Sequence, residues 1–169
     1  LNSDLVQMLT QQADMARFAA SKPLVKPPGK KWKYSSGTTN ILSRILRDAI
    51  GDDQRYWTFP AKQLFEPLSM TTAVLETDSS GRFVASSLVW ASGRDWARFG
   101  QLYLDDGRWN GKQLLPPHWV KHARTPSRGS KGGYGAHWWL SRRKGRPDLP
   151  NNSFSAEGYQ GQMLLVAPS

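Results

Sequence analysis

Cysteine is absent from the 169 residues. No disulfide, thiolate metal ligand or thiol nucleophile is therefore available, and this absence does not choose a redox compartment. No run of about 18 apolar residues occurs, so no segment reads as a membrane-spanning helix. A charged n-region followed by an apolar h-region is also missing, so no signal peptide is read. Only three histidines are present. His118 and His122 have the i, i+4 spacing of a zincin helix, but Trp119 stands where H-E-x-x-H needs its glutamate. With His137 as the only other histidine, no metal site is expected. The nucleophile elbow G-x-S-x-G is missing, which removes the geometric basis for a Ser-His-Asp hydrolase. Acidic residues vanish between Gly107 and Pro147, where ten basic ones lie: Arg108, Lys112, Lys121, Arg124, Arg128, Lys131, Arg142, Arg143, Lys144 and Arg146.

Against these absences, 38% of the residues are hydrophobic and 11% aromatic, including eight tryptophans. Such a chain is not a disordered polyelectrolyte. Its length fits about one domain and permits a real core. Lys and Arg total 23 against 13 Asp and Glu, a net charge of +10. A second basic cluster gathers Lys22, Lys26, Lys30, Lys31 and Lys33. Basic patches attract nucleic acid or anionic membranes. No Cys/His finger, RNP1-like strand or GXXG loop accompanies them, so a solvated face is the favoured reading and no nucleic-acid partner is expected.

The order of elements reads as helices first and short strands last, an α+β pattern. Ser3 to Ala20 carries apolar residues at near-helical spacing, as one helix or two short ones. Pro23, Pro27, Pro28 and Gly29 make an extended connector. Ile41, Leu42, Ile45, Leu46 and Ala49 share one face of a strongly amphipathic helix, expected to be buried and closed by Gly51. Pro60 is expected to begin a short helix stopped by Pro67. Thr71 to Glu76 and Arg82 to Val89 flank an Asp78–Gly81 turn as a hairpin. Ser92 and Asp95 form a capping box before the Trp96, Phe99 and Tyr103 stripe, and Asp105-Asp106-Gly107 ends that helix. Pro117 opens a helix bearing Trp119 and Val120. Tyr134 to Leu140 and Met163 to Val166 read as strands. The chain opens on Leu1, not Met, and its last strand has no closing element, so an excerpt of a longer protein is expected.

Three stretches bear on chemistry. S-x-x-K, the pattern of a Ser–Lys hydrolase, occurs once, as Ser141-Arg142-Arg143-Lys144. It follows a predicted strand, and Gly145 and Pro147 forbid a helix after it, so an exposed loop is expected there instead of a nucleophile. Trp32 to Leu42 places Tyr34 in a tight polar turn before the amphipathic helix. A phenol ionises near pH ~10 in water and is a poor base unless cations lower that value. From the residues alone, Tyr34 reads first as a side chain packed on the helix it precedes. Phe154 to Val166 sets Gly158 and Gly161 between two strands. Glycine there allows a backbone N–H close to a substrate carbonyl, as an oxyanion hole needs, although from the residues alone an ordinary hairpin turn is the favoured reading.

Taken together, five segments in order resemble the serine β-lactamase and penicillin-binding family. The likeness is to its branch of class C β-lactamases, family VIII esterases and 6-aminohexanoate-dimer hydrolases. Pro28-Gly29 through Leu46 is similar to PG-x-x-[WF]-x-Y-S-x-G-x-x-N-x-L. Leu64 to Met70 is similar to LF-x-PL-G-M, and Ala91 to Gly100 to AS-x-RD-W-A-R-F-G. Leu115 to Pro126 resembles LP-x-x-WV…TP, and Phe154 to Val166 resembles F-x-A-x-G-x-x-GQ.

The resemblance implies an antiparallel sheet flanked by helices, with a helical subdomain, of which residues 1–169 are part of a single domain. It implies a site of three motifs. Tyr34 then holds the second-motif position, relaying protons to the leaving group, with Ser36 in the adjoining Asn position. Glu157-Gly158-Tyr159 holds the third, with the Tyr159 N–H as one oxyanion donor. The other donor is the N–H of the nucleophilic Ser. That Ser and its Lys belong upstream of Tyr34, where no S-x-x-K lies, so this stretch alone is expected to be inactive. Glu157 stands where β-lactamases keep a cation for the substrate carboxylate, which favours neutral ester or amide substrates over β-lactams. No cofactor is implied. Relatives are often exported, which favours the periplasm over the cytoplasm. The rival from another class is a non-catalytic cell-envelope or peptidoglycan-binding protein on the same fold.

Overall fold

The computed structural model describes residues 3–140 and 148–168. Its backbone divides into two compact units. One comprises Leu1–Val25, Tyr34–Glu66 and Thr71–Ala91, and the other Lys26–Lys33, Pro67–Met70 and Ser92–Ser169.

The first unit opens with two helices. α1 (Asp4–Gln11) is capped by the Ser3 hydroxyl, which accepts the Val6 N–H. α2 (Met15–Ala20) is capped by Asp14, which accepts the Arg17 N–H at 2.8 Å. Each cap satisfies an N–H that the first helical turn leaves open. α3 (Ser36–Ile50) ends where Gly51 turns left-handed at φ 70° and donates to the Arg47 carbonyl. α4 (Asp53–Pro60) starts from Asp52, whose carboxylate accepts the Arg55 N–H at 2.7 Å. Pro60 is thus the last residue of this helix and not the first of the next. Proline has no N–H to close the helical ladder. The chain widens there into a π turn over Ala61–Phe65, closed by Glu66 N–H donating to the Ala61 carbonyl.

Strands β1 (Val74–Leu75) and β2 (Val89–Trp90) pair antiparallel, Val74 opposite Trp90 and Leu75 opposite Val89. Between them Asp78 organises the turn. One carboxylate oxygen accepts from Ser80 N–H, the Ser80 hydroxyl and Arg82 N–H, and the other accepts from Met15 N–H at 3.0 Å. The carboxylate therefore ties the turn to the start of α2.

Met8, Met15 and Val84 form the core of this unit, with Leu9, Phe18, Ala19 and Leu88 around them. The apolar stripe of α3 is not in it. Leu42, Ile45 and Leu46 are 49%, 56% and 37% exposed, and the buried residues of α3 are Asn40 and Ser43. Local contacts explain the rotation. At Gly37 a Cβ would sit 2.9 Å from the Ala19 Cβ, so only glycine lets α3 approach α2 this closely. One turn and a half later, Ser43 is locked into a buried hydrogen-bonded ring with Tyr56 and Phe83.

The second unit is built on α5 (Gly93–Leu104), opened by the Ser92 hydroxyl accepting Asp95 N–H. Gly107, at φ 80°, ends it by donating to the Leu102 carbonyl. A short hairpin follows, β3 (Arg108–Trp109) with β4 (Lys112–Gln113), then α6 (Trp119–Ala123). Strands β5 (Trp139–Leu140), β6 (Phe154–Glu157) and β7 (Met163–Val166) form an antiparallel sheet in that order. The strand expected from Tyr134 shrinks to Trp139–Leu140. Gly135 N–H donates to the Trp138 carbonyl and His137 turns left-handed at φ 66°, so residues 135–138 form a tight turn. The core gathers Tyr103, Val120, Ala123, Trp138, Phe154 and Val166. Trp138 meets Phe154 edge-on at 4.9 Å and Tyr103 at 4.5 Å. Aromatic pairs of this geometry add about 0.5–1.5 kcal/mol beyond area burial.

Candidate active site

Tyr34 and Ser36 lie in the first unit, and Glu157, Gly158 and Tyr159 in the second. The Tyr34 ring is half exposed. Ser35 is the N-cap of α3 in extended backbone, and Ser36 is the helix's first residue. The polar run after Tyr34 is therefore the opening turn of α3 itself. Gly37 wedges that turn against Ala19, so the position of Tyr34 is set from the α2–α3 packing. The chain thus presents Tyr34 immediately ahead of a helix N-terminus, whose partial positive charge favours anionic groups nearby.

The third stretch is a hairpin. β6 and β7 stay in register from Phe154 opposite Val166 to Glu157 opposite Met163. Gly158 N–H then donates to the Gln162 carbonyl at 2.8 Å. Tyr159, Gln160 and Gly161 form the tip, with Gln160 and Gly161 both left-handed at φ 60° and 81°. The hairpin bond uses the Gly158 N–H; the next one along is that of Tyr159, the oxyanion donor that the family resemblance implies. The Tyr159 ring is 85% exposed at the tip.

Alternation along β6 turns Phe154 and Ala156 toward the core and Ser155 and Glu157 to the opposite face. Ser155 is buried, and its hydroxyl donates to the Glu157 carboxylate at 3.0 Å. Ser155 had no place in the motif reading, although period-two alternation puts it beside Glu157. It fixes the direction of the one carboxylate expected to repel anionic substrates.

The i, i+4 spacing of His118 and His122 does not put both on one helix. His118 is the left-handed N-cap of α6 at φ 67°, outside the helix, so it and His122 do not share a helical face. Among the described residues no group of three His, Cys, Asp or Glu could hold a metal ion. Among the described residues, no helix is long and apolar enough to cross a membrane. Ser141-Arg142-Arg143-Lys144 falls outside the described residues.

The β-lactamase family model matches residues 2–169. This chain belongs to the β-lactamase family. A Bacillus anthracis protein named as a 6-aminohexanoate-dimer hydrolase is similar in structure, with a TM-score of 0.75 and 28% identity over 89% of this chain. A Bacteroides dorei DSM 17855 protein named as a β-lactamase gives a TM-score of 0.68 over 87% of this chain. At 17% identity, that second likeness concerns the fold alone. The chain spans 39% and 49% of the lengths of these two proteins. The membership makes this an α+β chain of a hydrolase family, with helices and small antiparallel sheets.

Proposed function

We propose that these 169 residues are a portion of a single serine hydrolase domain, the portion that carries the second and third site motifs. The reaction is cleavage of an ester or amide through an acyl-enzyme. The nucleophilic Ser and its Lys come from residues outside this chain. Tyr34 passes a proton to the leaving group, with Ser36 beside it. The Tyr159 N–H stabilises the developing oxyanion, where one donor is worth about 2.7–4 kcal/mol in reactions of this type. Glu157 and the glycine after it line the substrate, and the carboxylate selects against acids such as β-lactams.

The observation that supports this most is the hairpin tip. Its registered strands commit the Gly158 N–H to Gln162 and turn the chain at Tyr159, an arrangement compatible with a backbone donor there. The share of the two similar structures that the chain spans, 39% and 49%, leaves room for a nucleophile-bearing segment in a longer protein.

The test is fluorophosphonate labelling of the longest natural chain containing these residues, read by intact mass and peptide mapping. An adduct is expected on a Ser three residues before a Lys, upstream of Tyr34. Tyr34→Phe should slow acylation by about 10²–10⁴-fold, the usual contribution of a general acid or base. An adduct on Ser141 would move the nucleophile to the motif set aside above. A folded protein that takes no label would favour the non-catalytic binding protein.

A further inference from the structure

In the second unit, α6 and the loop leading into β6 enclose an open cleft of about 560 Å³. None of Glu157, Gly158 or Tyr159 lines it. We propose that this cleft binds a small molecule through a single carboxylate group.

Lys121 and Arg124 line the cleft one helical turn apart. Arg124 is already held in place. Its guanidinium donates to the Asn152 carbonyl at 2.9 Å and stacks over the buried Phe154 ring at 4.9 Å. A pre-positioned fork loses little freedom when it meets a carboxylate in two-point fashion. Ser153 also lines the cleft. It is 2% exposed, and its hydroxyl has no hydrogen-bond partner among the described residues. A buried hydroxyl without a partner is destabilising, and rotation of the Ser153 side chain toward the cleft would let a bound oxyanion satisfy it.

The charge of the described lining bears on the ligand. Among the described residues, Lys121 and Arg124 share the lining with one carboxylate, Asp106, so their charges sum to +1. That balance suits a monoanion, and Asp106 disfavours a phosphate dianion. Val120, Pro126 and Leu140 add apolar wall, and the volume exceeds what a bare ion needs. A carboxylate with an uncharged organic body fits both features. The four cations of residues 141–147 lie outside the described residues.

The test is a titration of the 15N-labelled protein with N-acetylglycine, and in parallel with inorganic phosphate, at pH 7 and fixed ionic strength. Saturable shifts are expected at residues 120–125 and 150–153 with N-acetylglycine, and weaker ones with phosphate. Lys121→Gln and Arg124→Gln should each weaken N-acetylglycine binding about tenfold or more. Ser153→Ala should weaken it by a smaller factor. Lys121 is exposed and carries the test alone should loss of the Arg124 stacking unfold the unit. No saturable shift at these residues, tighter binding of phosphate, or unchanged affinity in Lys121→Gln would each overturn the proposal. Because acylation is not measured, failure of the hydrolase reading leaves this result interpretable.

Discussion

Loss of the Tyr56 hydroxyl should cost the first unit stability out of proportion to the single atom removed. It is 0% exposed, and its hydroxyl belongs to a closed ring of three bonds. The Ser43 hydroxyl donates to the Phe83 carbonyl at 2.9 Å, which uses its only proton. Ser43 must therefore accept from Tyr56 O–H across their 2.8 Å contact. Tyr56 in turn accepts the Phe83 N–H at 2.9 Å. Tyr56→Phe removes two of the three bonds and strands a buried backbone N–H. Leaving such a donor unpaired costs about 1–3 kcal/mol. For a chain of this size that lowers the melting temperature by roughly 2–4 °C per kcal/mol. Ser43→Ala also breaks two bonds but leaves the Tyr56-to-Phe83 bond intact. The double variant loses only three bonds in total, not four. Its destabilisation should fall short of the sum by about 0.5 kcal/mol or more, as for any pair in one network. Urea melts followed by near-UV circular dichroism give all four corners of the cycle. Strict additivity, or a Tyr56→Phe loss below about 0.5 kcal/mol with an unchanged native spectrum, would show that the ring is not closed as described. Since Ser43 lies about two turns into α3, amide exchange of α3 should rise in the same variants.

The remaining expectations are local. At Gly135 an added Cβ would stand 2.0 Å from the Ala123 carbonyl oxygen, so Gly135→Ala should destabilise by about 1–3 kcal/mol. Gly93→Ala, with open space around it, should be neutral or stabilise by up to ~1 kcal/mol; thermal melts of the pair compare them. Partial burial pushes the His137 imidazole below its ordinary 6.5. Below that value the unfolded chain binds the proton and the folded chain resists it, so stability falls as pH drops through the window and levels off above it. His137→Asn, which tolerates the left-handed backbone, should remove that share of the slope between urea midpoints at pH 5.5 and 7.5. Glu157→Lys in the longest natural chain should raise acylation by a carboxylate-bearing β-lactam relative to a neutral ester. An unchanged ratio would remove Glu157 from substrate selection.

Much of the local structure was legible because its causes are local. The cap at Ser92, the stop at Gly51 and the turn at Asp78 each depend on one side chain and the backbone within a few residues. The motif order behind the roles proposed for Tyr34 and Tyr159 is equally a property of the sequence. The Pro60 boundary was misread because proline also tolerates the end of a helix that relaxes into a π turn. The strand from Tyr134 was overestimated because alternation of aromatic residues does not reveal a left-handed His137. Ser155 was missed because the motif reading followed glycines and charges, whereas its role comes from the face it shares with Glu157.

The α3 stripe shows a different limit. Periodicity states which residues share a face, and Leu42, Ile45 and Leu46 do share one. It does not state which face meets a neighbour. That is decided by the glycine contact at Ala19 and the Ser43 ring, and both pull the polar side inward. Burying Asn40 and Ser43 while leaving three large aliphatic residues exposed is a poor bargain for an isolated helix, because apolar burial is worth about 25 cal/mol per Å². α3 is thus fixed by its polar face and presents Tyr34 just ahead of its first turn.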